Sequence, residues 1–101
     1  MAKTTQLRNY IINRGEMDIF VQGWRESIVP LRLKHGFTID GAWIVEGENR
    51  FVWMVSYEGD ESWDAVEQAY YNDPQRQALN PGPAQHIAHM ELRFVQGVTL
   101  S

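Results

Sequence analysis

Cysteine is absent from this chain, which removes disulfides, thiol nucleophiles and cysteine-ligated metals together. Lysine is scarce, with only Lys3 and Lys34 among nine basic residues, and thirteen acidic residues bring the formal net charge to -4. That balance offers no electrostatic footprint for nucleic acid. No stretch is long and apolar enough to cross a bilayer, so neither nucleic acid nor membrane is expected as a partner. The first residues, Met1-Ala2-Lys3-Thr4-Thr5, run into a strand-like pattern without an apolar leader, and the expected location is the cytoplasm. Nucleophile-elbow, phosphate-loop and dinucleotide motifs are also missing. No cofactor is expected.

What is present reads as one soluble domain over residues 1–101, 44% hydrophobic and 22% charged. Thr5 to Ile12 is rich in strand formers and alternates weakly, giving strand one. Gly15 allows a turn, and Glu16 and Asp18 place negative charge where a helix dipole favours it. Met17, Phe20, Trp24, Ile28, Leu31 and His35 then recur at steps of three and four, one face of a helix from about residue 16 to about residue 35. Pro30 should bend that helix, since it removes the bond back to Glu26 while the apolar face continues. Gly36 is the natural stop.

Phe37, Ile39, Trp43 and Val45 alternate with Thr38, Asp40 and Glu46, which predicts strand two. Glu46-Gly47-Glu48-Asn49 is a hairpin turn, and Arg50 to Glu58 is strand three. Asp60 is a good N-cap for a second helix marked by Trp63, Val66 and Tyr70. Asp73-Pro74 breaks it, Gln75 to Leu79 adds a further turn, and Asn80-Pro81-Gly82-Pro83 is a rigid loop. His86 to Val95 is strand four.

The order is βαββαβ, a ferredoxin-like α+β fold with two main helices on one face of a four-stranded antiparallel sheet. In strand three, Phe51, Trp53, Val55 and Tyr57 point one way, and Val52, Met54 and Ser56 the other. Helices cover one face only, so the second apolar face asks for a partner. A homodimer packed sheet to sheet is the simplest one. Strand four, with Ala88, Met90, Leu92 and Phe94 on one face, supports it, and His89, Glu91 and Arg93 on the other could pair across the seam.

Leu7-Arg8-Asn9-Tyr10, Gly15, Pro30-Leu31-Arg32, Lys34-His35-Gly36, Gly41 and Trp43 together resemble the pattern of the NIPSNAP family, and Tyr57-Glu58 and Asp73-Pro74 fit it as well. The resemblance runs from about residue 6 to about residue 94. It implies a homodimeric α+β barrel, two ferredoxin-like domains closing sheet against sheet. Related dimeric barrels include cofactor-free monooxygenases, isomerases and haem enzymes, and fold does not decide among them.

His35 ends the long helix, where it either caps the carbonyl-rich terminus or serves as a general acid or base at a cleft between helix and sheet. Arg8 and Tyr10 share a face of strand one, and Tyr57 ends its neighbour. The three are either core residues or a clamp for a small carboxylate or carbonyl. Trp24, Trp43 and Trp53 are core or line a ligand cavity. His86 and His89 are poorly spaced as joint ligands on a strand, so no metal site is expected. Two functions follow from these alternatives. One binds a small apolar or aromatic molecule between helices and sheet, as a cofactor-independent enzyme or its non-catalytic relative. The other is a non-catalytic homodimeric module for a ligand or protein partner.

Overall fold

Antiparallel pairing of β1 (Thr4–Ile12) with both β3 (Arg50–Tyr57) and β4 (Ile87–Val95) puts the first strand inside a four-stranded sheet. With β2 (Phe37–Val45) on the outer side of β3, the order is β2-β3-β1-β4. These positions come from a computed structural model, which describes residues 2–79 and 82–100. Asn80 and Pro81 of the expected rigid loop lie outside the described residues. The expected ferredoxin-like fold is the observed one. The shape is a slab 41 × 40 × 19 Å, the thickness of one sheet under one helical layer.

The long helix departs from a simple bend at Pro30. It runs as α1 (Met17–Gly23), a π-helical turn (Trp24–Ile28) and α2 (Val29–Lys34). The Val29 N–H reaches back to the Trp24 carbonyl, five residues away, which is the π pattern. Pro30 sits in the first turn of α2, where its missing N–H costs little. The widened turn absorbs the strain that a proline would put on a continuous α-helix. It also brings Arg32, four residues past Ile28, onto the buried side next to Leu31.

Phe20, Trp24 and Ile28 pack on Tyr10, Phe51 and Trp53 of the sheet. The contacts are largely edge to face, with ring centroids 5.0 Å apart for Trp24 and Phe51 and 5.2 Å for Phe20 and Phe51. That geometry suits aromatic quadrupoles better than flat stacking.

Strand two is corrected by a bulge. Its register with β3 shifts between Ile39 and Gly41, so one extra residue reverses the faces. Phe37 and Ile39 lie opposite Tyr57 and Val55 on the helix side, whereas Trp43 and Val45 lie opposite Val52 and Arg50 on the open face. Gly41 lets the Trp43 ring fold over the strand: a Cβ there would come within 2.6 Å of the ring, and the half-exposed ring would have to swing away.

The second helix, α3 (Trp63–Asn72), is capped by Ser62 rather than Asp60: the Ser62 hydroxyl accepts from the Ala65 N–H at 3.1 Å. Asp73 then starts α4 (Pro74–Gln77), accepting from the Gln75 N–H at 2.7 Å. His86 belongs to a 3-10 turn, Pro83–His86, ahead of β4. The apolar residues of β4 lie on the helix side, Met90 opposite Tyr10 and Leu92 opposite Arg8. They stay exposed at this edge. His89, Glu91 and Arg93 face the open side.

Candidate functional site

A small cavity opens between the helical layer and the sheet. Arg8 and Tyr10 of β1 and Trp53 of β3 form its floor. Phe20, Trp24, Ile28 and Arg32 come from the long helix, and Tyr70, Tyr71 and Arg76 from α3 and α4. Its rim includes the exposed Ala84 and Met90. The space free to water-sized molecules is about 50 Å³, enough for a few waters.

Alternation along β1 turns Gln6, Arg8, Tyr10 and Ile12 inward together. Arg8 is 3% exposed and fully engaged. Its Nε donates to the Tyr10 hydroxyl at 2.7 Å, Nη1 to Gln6 Oε1 at 2.7 Å, and Nη2 to the Tyr71 hydroxyl at 3.4 Å. Burial works against the charge, but the interactions with Tyr10, Tyr71 and Glu67 outweigh it and raise the pKa above its ordinary value. Arg8 is a permanent cation inside the protein.

Arg32 is 1% exposed. Its guanidinium lies 3.9 Å over the Tyr70 ring and 4.7 Å over that of Phe37, an arrangement favoured by the ring quadrupoles. Its Nη1 donates to Glu67, whose other oxygen lies 3.7 Å from Arg8 Nη1. One carboxylate thus serves two buried guanidiniums. Arg76 Nε donates to the Tyr70 hydroxyl at 3.1 Å. Burial raises the Tyr70 pKa, with Arg32 and Arg76 acting in the opposite sense, so Tyr70 stays a neutral phenol. Among the described residues, the buried side-chain polar atoms without a hydrogen-bond partner are Trp24 Nε1, Trp53 Nε1 and Arg32 Nε. All three are donors, and all three residues line the cavity.

Of the expected site residues, the cavity brings together Arg8, Tyr10 and Trp53, with Trp24 beside them. Trp43 stands on the opposite face of the sheet. Tyr57 packs against Phe37, ring centroids 5.9 Å apart, and its hydroxyl accepts from the Glu61 N–H at 3.4 Å; it does not line the cavity. His35 does not line it either. Its Nε2 lies 2.7 Å from Asp73 Oδ2, which also accepts from Lys34 Nζ at 2.8 Å. His35 meets the cavity wall edge to face at Tyr70, ring centroids 6.0 Å apart. The hydrogen bonds from Lys34, His35 and the Gln75 N–H hold the Asp73 carboxyl well below the usual carboxylate range.

Sequence reasoning missed Arg32, Glu67, Tyr70, Tyr71 and Arg76. The spacing held a signal for the first of these: Arg32 follows Ile28 by four residues and so borders the apolar stripe. Glu67 and Tyr71 recur at the same step on α3.

The NIPSNAP family model matches residues 5–101. The chain belongs to the NIPSNAP family. No curated protein matches it. Among solved structures, a NIPSNAP family protein from Agrobacterium tumefaciens superposes with a TM-score of 0.86 at 18% identity, covering 99% of this chain and 97% of that one. An uncharacterized NIPSNAP domain protein from Burkholderia xenovorans gives a TM-score of 0.83 at 20% identity, with 97% of both chains covered. A putative antibiotic biosynthesis monooxygenase from Nitrosomonas europaea gives 0.71 at 12% identity, covering 98% of this chain and 93% of that one. At these identities the likeness speaks for the NIPSNAP fold, and function has to be argued from the site.

Proposed function

We propose that this NIPSNAP protein binds a small apolar or aromatic molecule between its helical layer and its sheet. One observation supports this reading: a cavity between helices and sheet lined by aromatic rings together with Arg8, Tyr10 and Arg32, a mix of apolar wall and few polar groups found in ligand sites; at about 50 Å³ it has to widen to admit a ring. Titration with toluene and phenol, followed by tryptophan emission, tests it, because Trp24 and Trp53 stand in the wall. Saturable binding of either is the expected result. An interior that takes up neither overturns the reading.

Turnover without a cofactor is a second reading, favoured by Tyr10. Its hydroxyl accepts from Arg8 and so keeps its own proton to donate. His35, on the far side of Tyr70, is the second group able to move a proton. Recovery of a bound molecule chemically unchanged after long incubation overturns this second reading and leaves the first standing.

The working form we propose is a homodimer joined through the open sheet face. Trp43 is 53% exposed on that face, next to the half-buried Val52, Met54 and Leu7. A partner sheet would cover this apolar surface.

A further inference from the structure

We propose that the free edge of β4 docks a second copy of this chain, the two β4 strands pairing antiparallel about Leu92. The contact goes beyond the reading of the cavity as a binding site and does not depend on it. Three observations carry it.

The first is an open edge. β4 ends the sheet order and pairs with β1 alone among the described residues, so its outer N–H and C=O groups have no strand beside them. From His89 onward its register with β1 is regular. The strand contains neither proline nor lysine, two common means of blunting an edge. Such a strand is a template for one more.

The second is an apolar strip beside that edge. Met90, Leu92 and Phe94 stand on the helix side and are 41%, 38% and 62% exposed. The Trp63 ring borders the strip and meets the Phe94 ring edge to face, centroids 5.5 Å apart.

The third is self-complementarity, which selects both the occupant and the register. In an antiparallel pair related by a two-fold axis, opposed residues share a face. Centring the pair on Leu92 sets Glu91 against Arg93 of the partner subunit, and Met90 against Phe94 of the partner subunit. The axis repeats both pairs. Opposite charges and a methionine–aromatic contact, both favourable across strands, then lie side by side. Centring on Glu91 or Arg93 opposes like charges instead. Centring on Met90 carries Phe94, the most exposed of the three, past the start of the strand to His86 in the 3-10 turn. A foreign strand has no reason to match both rows; a second copy matches them by its own sequence.

The pairing also reaches the cavity. Met90 stands on its exposed rim, so the partner's Phe94, across from it, narrows the mouth. One strand and a short apolar strip from each copy make a small interface. It therefore forms at high protein concentration and leaves the open sheet face to the tighter contact.

The absence of cysteine from the chain permits a test by crosslinking. Leu92→Cys, Met90→Cys and Phe94→Cys are oxidised with copper phenanthroline, singly and in mixtures. Directly opposed residues lie about 4.5–5.5 Å apart at Cα, within disulfide reach. In the proposed register, Met90 and the partner's Met90 lie roughly 13 Å apart along the strands. Leu92→Cys should therefore crosslink to itself about tenfold faster than either other variant alone, and Met90→Cys mixed with Phe94→Cys should match it. Adding Glu91→Arg to Leu92→Cys should slow the reaction severalfold, and adding Arg93→Glu as well should restore it. In the crosslinked dimer, peroxide should oxidise Met90 more slowly than in the alkylated monomer; equal rates overturn the narrowed mouth. Equal crosslinking of all three single variants means an edge without register and overturns the pairing. Met90→Cys reacting fastest overturns the axis at Leu92. Indifference to the two charge changes overturns the contact of Glu91 with Arg93. If Leu92→Cys does not fold, the mixture of the other two still decides. Absence of any crosslink overturns the edge contact, and leaves the cavity reading and the open-face dimer as they stand.

Discussion

At Asp73 a single carboxylate accepts from the Lys34 ammonium, the His35 ring and the Gln75 backbone N–H, and so ties the end of α2 to the start of α4. These bonds favour the ionised form, and its folded-state pKa lies below the ordinary value of about 3.9. As pH falls below about 4 the unfolded chain therefore takes up this proton first. The stability that Asp73 contributes is present above that pH and is lost as pH falls further toward the folded value. Thermal melts from pH 6 down to pH 2 should show a decreasing midpoint. Asp73→Asn should lower the midpoint at pH 6 and flatten the acid limb, whereas equal acid slopes in the two proteins would remove this role. The same geometry explains His35. Its place at a helix end and its partner Asp73 were both visible in the sequence, but their contact joins residues 38 apart, and no local pattern encodes it.

At the scale of the element, local chemistry in the sequence is readable where a residue acts within its own segment, and fails where one extra residue changes the phase. The order βαββαβ follows from changes of hydrophobic period and from turn residues, and it is observed. The bulge after Ile39 and the π turn at Trp24 are single-residue insertions into a period, and each rotates everything after it. Trp43 changed face for that reason, and Arg32 entered the core. Gly41, held against the Trp43 ring, was the trace of the first, and Pro30, two residues past the π turn, the trace of the second. Helix caps are a milder case, since Asp60 and Ser62 both suit the position. The observed bond from Ala65 to Ser62 makes a sharp prediction: Ser62→Ala should cost about 1 kcal/mol in urea unfolding, and Asp60→Ala a much smaller amount. The reverse order would place the cap at Asp60.

For the whole molecule, the sheet has two sides with different tasks. One carries the helices, the aromatic core and the cavity. The other is bare across its middle, with Trp43, Val52, Met54 and Leu7 forming an apolar surface and a row of His89, Glu91 and Arg93 along one edge. In an isolated chain that surface would stay in water at roughly 25 cal/mol per Å² of apolar area. Association in solution is the natural way to cover it. A charge placed at its centre should be tolerated by the monomer, because Met54 points away from the core, and should be costly in a sheet-to-sheet interface. Met54→Arg should therefore shift the sedimentation profile at micromolar concentration from dimer to monomer. Its circular dichroism should stay native, and aromatic ligands should still bind on the opposite side of the sheet. A wild-type protein that sediments as a monomer at that concentration would sink the dimer outright. A dimer that survives Met54→Arg would place the interface elsewhere, and the exposed edge of β4, with Met90, Leu92 and Phe94, is then the surface to change next.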